Sequence, residues 1–244
     1  MADRAPQPLT GAPVQLVIID LMGTLIADDG LVEHAYAAAL REAGVDPGTP
    51  EAAAAQTTIN QMAGRPTLDV LTAALTDPVL AEESTWAFDD AVLAKVPDLG
   101  EIPGASTAMD SLASAGILLA LTTSFTTEVR KALLAHVGWT ERFAMTLSAH
   151  GVRRGHPAPD LLLDAILELR IDSVSQVAIV GDNAADLEAG NRAGAGLVIG
   201  VSTGSASEDV LAASPHTHLV DSIADVPAVV HGPRTSGQRR VSDV

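Results

Sequence analysis

The run VIIDLMGTLI, Val17 to Ile26, carries one carboxylate, Asp20, where an apolar stretch gives way to Gly23 and Thr24. A second apolar run ends in GDNAAD, which supplies Asp182 and Asp186. Spaced four apart, these two share a face if Asp186 falls in a helix. Hard oxygen ligands of this kind suit Mg²⁺, which takes one or two carboxylates together with water and phosphate oxygens. Thr122 and Thr123 close a third apolar run and offer hydroxyls to an anion, and His156 sits in GHPAPD. Taken singly, each has a plain structural explanation. An aspartate after a strand caps a helix or forms a turn, an acidic first turn complements the helix dipole, and a loop histidine is solvated.

The elements that carry these residues argue for reading them together. QLVIID (15–20) is a β-branched apolar run, expected to be a fully buried strand. The stretch that follows is helical throughout. DDGLVEHAYAAALREAGV has Asp29 as a possible N-cap and Gly44 as a stop, and three more helical segments run to residue 97. Alternation then begins. STAMDSLASAG, TTEVRKALLAHVG, APDLLLDAILELR, ADLEAGNRAGA and EDVLAAS read as helices. They are interleaved with strands ILLALTT (117–123), FAMTLSA, VAIVG (177–181), GLVIGV (196–201) and a short HLVDS. Strands separated by helices predict right-handed crossovers and a parallel sheet covered on both faces. The expected fold class is therefore α/β, a Rossmann-like parallel-sheet core with an inserted all-helical cap. The expected boundaries are a flexible lead-in at 1–13, a core at 14–27 and 98–230, a cap at 28–97 and a disordered tail at 231–244. Ligands of such sheets bind beyond the carboxyl ends of the strands, where Asp20, Thr122 and Asp182 all fall.

Composition narrows the partners. The net charge of −17 disfavours nucleic acid, so an anionic substrate needs a metal or a local cation. There is no cysteine, which excludes thiolate chemistry and disulfides. No apolar run approaches the ~20 residues of a membrane span, and no secretory pattern opens the chain, so a cytoplasmic protein is expected.

Jointly, DLMGT, Thr122, GHPAPD and GDNAAD, with the helical insertion after the first strand, resemble the four motifs and cap of the haloacid dehalogenase superfamily of hydrolases. The resemblance spans about residues 14 to 230. It implies that Asp20 is a nucleophile forming an aspartyl-phosphate. It implies Mg²⁺ held by Asp20, Asp182, Asp186 and the backbone carbonyl of Met22. The phosphoryl group would be bound by Thr122 with Gly23, Thr24 and Thr123, and the protein would be a monomer or a homodimer.

Two positions depart from that pattern. Phosphatases of this superfamily carry a second aspartate, the general acid, two residues after the nucleophile; here Met22 stands there. General acid help is worth ~10²–10⁴ in rate, so leaving groups of low pKa suit the chain best. The third-motif Lys or Arg is His156, expected to serve in catalysis as a weaker cation or as an acid–base group in place of the lost aspartate, with Arg153 and Arg154 nearby as substitute cations. DLMGTLIADDGL and QMAG look similar to relatives of phosphonoacetaldehyde hydrolase, whose cap lysine forms a Schiff base; Thr67 stands where that lysine is expected. In the cap, Glu33, His34, Gln61, Met62 and above all Arg65 are candidates to face the substrate. The expected substrate is a small phosphorylated or phosphonate metabolite. A degenerate binding protein and a haloacid dehalogenase are the alternatives; the acidic GDNAAD opposes the latter.

Overall fold

The structure, a computed structural model, describes residues 13–149 and 154–232. The expected lead-in up to residue 12, Arg153 and the tail from residue 233 lie outside the described residues. The first strand, β1 (Leu16–Asp20), buries its four apolar residues and ends on Asp20. Four helices follow: α1 (Leu31–Glu42), α2 (Pro50–Gln61), α3 (Thr67–Leu75) and α4 (Pro78–Lys95). The alternating part runs α5 (Ala105–Ser114), β2 (Leu118–Thr123), α6 (Thr127–His136), β3 (Met145–Ser148), α7 (Asp160–Glu168), β4 (Val177–Gly181), α8 (Ala184–Ala193), β5 (Leu197–Val201), α9 (Glu208–Ala213), β6 (His218–Val220) and α10 (Val226–His231). The sheet is parallel, in the order β3-β2-β1-β4-β5-β6. The chain steps outward from β1 to β2 and β3, then crosses back to β4 on the other side of β1. That reversal opens the crevice in which such sheets bind ligands, and Asp20 and Gly181 end the two strands beside it.

Local chemistry sets the helix starts. Thr49 and Asp77 cap α2 and α4, each followed by a proline whose missing N–H costs nothing at that position. One expectation is corrected. Asp29 does not cap α1. Asp28 Oδ1 accepts from the Val32 N–H at 2.9 Å, because the chain turns through positive φ at Asp29 (44°) and Gly30 (78°) before the helix begins. The sequence reading assigned no element to α10, whose six residues are too few for a periodic signal.

Strand alternation divides the core. Val17 and Ile19 of β1 pack with Leu119 and Leu121, and this cluster continues through Leu21, Leu25 and Ile26 into Tyr36, Phe88 and Val92 of the helical insertion. Leu16 and Ile18 face the other way, with Ala120 and Ile179, against Leu162 and Ile166 of α7 and Ala189 of α8. Each fully buried Leu or Ile contributes roughly 1.5–3 kcal/mol, so slippage of β1 is strongly opposed. The insertion therefore shares its core with the sheet. The ring of Phe88 bridges the two parts, 4.7 Å from Tyr36 in α1 and 6.0 Å from Phe125 just after β2.

Candidate active site

Register places the site. Asp20 pairs with Thr122 across β1 and β2, at the carboxyl edge of the sheet. From β4 the chain passes through Asp182 into Asn183, whose Oδ1 accepts from the N–H groups of Ala185 (3.0 Å) and Asp186 (3.2 Å). This cap fixes the first turn of α8 and turns Asp186 back toward the strand ends. Asp20, Asp182 and Asp186 each offer an oxygen within 4.8 Å of the others. The motif GDNAAD is thus both a helix start and part of a carboxylate cluster.

Three carboxylates this close, two of them buried, repel one another. Burial pushes the Asp20 carboxyl well above its ordinary range, and the charges of Asp186 and Asp182 push it further. Asp182 is raised to about 7 by burial and then by Asp186, against hydrogen bonds that favour its anion. Asp186 Oδ2 is buried with no hydrogen-bond partner. An all-oxygen donor set in which Asp20 and Asp182 are held above the ordinary carboxylate range and one buried oxygen of Asp186 is orphaned fits a divalent cation, whose positive charge offsets their repulsion.

The loops around the cluster explain its shape. After β1 the chain folds on itself: Leu25 and Ile26 N–H both donate to Leu21 O at 2.9 Å, and Gly23 N–H donates to Ile26 O at 2.8 Å. Gly23 takes φ 82°, and a Cβ there would stand 2.6 Å from Asp182 Oδ2, so only glycine fits. Thr24 is fully buried, and its hydroxyl stands 3.5 Å from Asp182 Oδ1. Met22 is half-buried against the core. Thr122 is buried at the strand end, and Thr123 Oγ1 accepts from the Phe125 N–H at 3.3 Å.

Residues after β5, absent from the sequence reading, complete the support. Ser205 donates twice to Asp182 Oδ2, from its N–H at 2.7 Å and its hydroxyl at 3.0 Å. Thr203 Oγ1 donates to Gly23 O at 2.7 Å. Ser and Thr in a loop are too common to have been singled out, and only the fold brings VSTGS to the site.

His156 does not point at Asp20 in the described contacts. Its Nδ1 lies 2.7 Å from Asp186 Oδ1, and its Nε2 is buried without a hydrogen-bond partner. The His156–Pro157 peptide is cis. Arg154, weighed as a substitute cation, is held by Asp160 through Nη2 (2.8 Å) and Nε (3.1 Å), exposed to solvent.

The helical insertion reaches the site through the loop after α2. Gly64, at φ 80°, packs so tightly on the Asn183 side chain that a Cβ would overlap its amide, and Gly155 packs likewise on Pro66. Met62 is half-buried in this loop, and Arg65 is exposed beside it, its N–H donating to Met62 O at 3.1 Å. Glu33, His34 and Gln61 are exposed. Thr67 is buried and hydrogen-bonded to Tyr36. Among the described residues, no helix is long and apolar enough to cross a membrane.

The chain is similar to several known proteins. "Probable phosphatase IndB" of Dickeya dadantii (strain 3937) is 31% identical over 223 residues, covering 88% of this chain and 93% of that protein. The "Bifunctional riboflavin kinase/FMN phosphatase" of Arabidopsis thaliana is 26% identical over 182 residues, 73% of this chain but only 46% of that longer protein. In fold, the chain is similar to a phosphonoacetaldehyde hydrolase-like protein from Oleispira antarctica. The TM-score is 0.74 at 21% identity, with 94% of this chain and 95% of that one covered. It is also similar to a hydrolase from Pseudomonas syringae, with a TM-score of 0.76 at 19% identity and 89% and 97% covered. A family description of haloacid dehalogenase-like hydrolases matches residues 14–194, the span that holds all three clustered carboxylates, Thr122 and His156, and to that family the chain belongs.

Proposed function

We propose that the chain is a Mg²⁺-dependent phosphohydrolase that uses Asp20 as nucleophile on a small phosphorylated or phosphonate metabolite. The observation that carries this reading is the convergence of Asp20, Asp182 and Asp186 at the carboxyl edge of the sheet, in register with Thr122. Asp20, Asp182 and Asp186, with the carbonyl of Met22, would hold the ion, which neutralises phosphoryl oxygens and lets an anionic nucleophile approach an anionic substrate. An Asp20 oxygen forms a bond to phosphorus as the bond to the leaving group breaks. Water then attacks the acyl phosphate, releases inorganic phosphate and regenerates the carboxylate. The Thr122 hydroxyl and the N–H groups of Met22 and Thr24 bind the phosphoryl oxygens, and Thr24 with Ser205 keeps Asp182 in place. The insertion, seated on Asn183 and Gly155 through Gly64 and Pro66, keeps water from the acyl phosphate until the loop lifts.

Met22 cannot give a proton to the leaving group. The reading therefore favours acyl phosphates, aryl phosphates or activated phosphonates, whose leaving groups depart without one. Phosphate release from a panel of such compounds and of alkyl phosphates, with and without Mg²⁺ and beside Asp20→Asn, tests it. Mg²⁺-dependent release that Asp20→Asn abolishes supports the reading. A folded, Mg²⁺-binding protein that releases phosphate from none of them favours the second reading, a binding protein of this fold, to which Met22 and His156 lend weight.

A further inference from the structure

One cation lies buried at the same edge of the sheet and has no part in the chemistry above. Arg130 stands one turn into α6, four residues after the Thr126 cap, and is 8% exposed. Its Nη1 donates to Ser148 Oγ at 2.7 Å. Its Nε is buried with no hydrogen-bond partner, and it forms no ion pair among the described residues. Burial lowers its pKa from the ordinary arginine range, and it makes no ion pair with a carboxylate among the described residues. A guanidinium withdrawn from water without a counter-charge is destabilising. Ser148, a neutral hydroxyl, offsets little of that.

The orientation is informative. Nη1 lies on the Cδ side of the guanidinium, so its bond to Ser148 leaves the opposite edge, Nε with Nη2, without a described partner. That edge takes a planar carboxylate through two parallel hydrogen bonds. Ser148 is the last residue of β3 and pairs with Thr123, which follows Thr122, the partner of Asp20. Two strand spacings, about 10 Å, separate β1 from β3. A short carbon chain between a reacting phosphorus and a carboxylate fits that separation. The insertion roofs the start of α6: Asp89 of α4 accepts from Thr126 Oγ1 at 2.7 Å, and Phe88 stacks toward Phe125.

We propose that Arg130 receives a carboxylate of the substrate, so that the enzyme takes small metabolites with a phosphoryl or phosphonyl group at one end and a carboxylate at the other. This inference rests on the phosphohydrolase reading and names its substrate class. Asp20 acts on phosphorus; Arg130 binds the far end and rejects neutral chains of the same length, because such chains leave its guanidinium buried and unpaired.

Calorimetric titration with excess Mg²⁺ tests it, using 3-phosphonopropionate and propylphosphonate, which differ in the carboxylate. Wild type is expected to bind 3-phosphonopropionate about 10-fold or more tightly than propylphosphonate, as a hydrogen-bonded charge pair warrants. Arg130→Gln is expected to erase most of that gap and leave propylphosphonate affinity within about 3-fold, while Arg130→Lys keeps part of it. Mg²⁺-dependent binding of both compounds without preference in wild type, or an undiminished gap in Arg130→Gln, overturns the role of Arg130 and leaves the phosphohydrolase reading standing. Binding of neither compound removes both. Should Arg130→Gln fail to fold, the wild-type ratio together with Arg130→Lys decides.

Discussion

His156 is bonded to the acidic fourth-motif residue: its Nδ1 lies 2.7 Å from Oδ1 of Asp186, and both side chains are buried. The third-motif position thus touches the carboxylate cluster through Asp186. The contact holds one proton between Nδ1 and Oδ1. Removing the ring leaves Asp186 with two unpaired buried oxygens, since Oδ2 already lacks a partner. His156→Ala is expected to lower turnover about 10²-fold or more and to weaken the metal-free fold by roughly 1–3 kcal/mol. Initial rates and urea unfolding check both. Unchanged rates mean that His156 is a structural neighbour of Asp186 and nothing more.

Met22 gives a second test. Its side chain is half-buried, and its backbone bridges Ile26 across the turn after β1. With no acid at that position, rates are expected to fall steeply as the leaving group becomes more basic. Met22→Asp is expected to flatten that dependence and raise alkyl phosphate turnover, by up to the ~10²–10⁴ that a general acid supplies. A series of aryl and alkyl phosphates measures the slope. Equal slopes in the two proteins would show that a different group already protonates the leaving oxygen.

The strands and most helices were legible in the sequence because their signals are local. LVIID and VAIVG are short apolar runs with charged or polar exits, and Thr49-Pro50 and Asp77-Pro78 are cap-and-proline starts. Asp20, Thr122 and Asp182 were legible because they stand where such runs end, and Asp186 because it follows Asp182 by four residues in the first turn of α8. Ser205, Thr203 and Arg130 were not. Their importance lies in contacts across 23 residues to Asp182, across 180 to Gly23 and across 18 to Ser148, which no periodicity encodes. The cap of α1 misled for the opposite reason: Asp28 and Asp29 are chemically equivalent candidates, and only the turn through Gly30 selects Asp28.

Ser205 acts on the cluster without joining it. Both its N–H and its hydroxyl donate to Asp182 Oδ2. Ser205→Ala removes one of the two bonds, and partners of metal-binding carboxylates are worth ~10–100-fold in affinity. A Mg²⁺ affinity about 10-fold weaker is expected, at the lower end because the N–H bond remains. Titration calorimetry reads it directly. Wild-type affinity would mean that the backbone bond alone orients Asp182.

Gly64 tests how far the insertion controls access. A methyl there overlaps the Asn183 amide, and φ 80° is itself strained for alanine. Gly64→Ala is expected to lift the loop of Met62–Pro66 from the core, raising KM and exposing the site, while the sheet core stays folded. Protease cleavage near residue 64 and steady-state kinetics check this. Unaltered KM with unaltered cleavage would mean that the loop shifts without uncovering the site.

In the proposed site, proton and metal would compete for the same carboxylates. Asp182 titrates at about 7 in the metal-free fold, against ~3.9 unfolded. A carboxyl raised on folding binds its proton more tightly in the native state. Its contribution to stability is complete below the unfolded value and is lost as pH rises through the folded one. Asp20 is raised in the same direction. The metal-free protein is therefore expected to lose stability from about pH 4 to beyond pH 7. If Mg²⁺ is held by this cluster, as proposed, it binds the ionised form, so the stabilisation it confers should grow across that window and be largest above pH 7. Thermal unfolding at several pH values, with EDTA or with Mg²⁺, gives both curves. Parallel curves would mean that Mg²⁺ does not bind this cluster, and would remove the ion from the active-site reading.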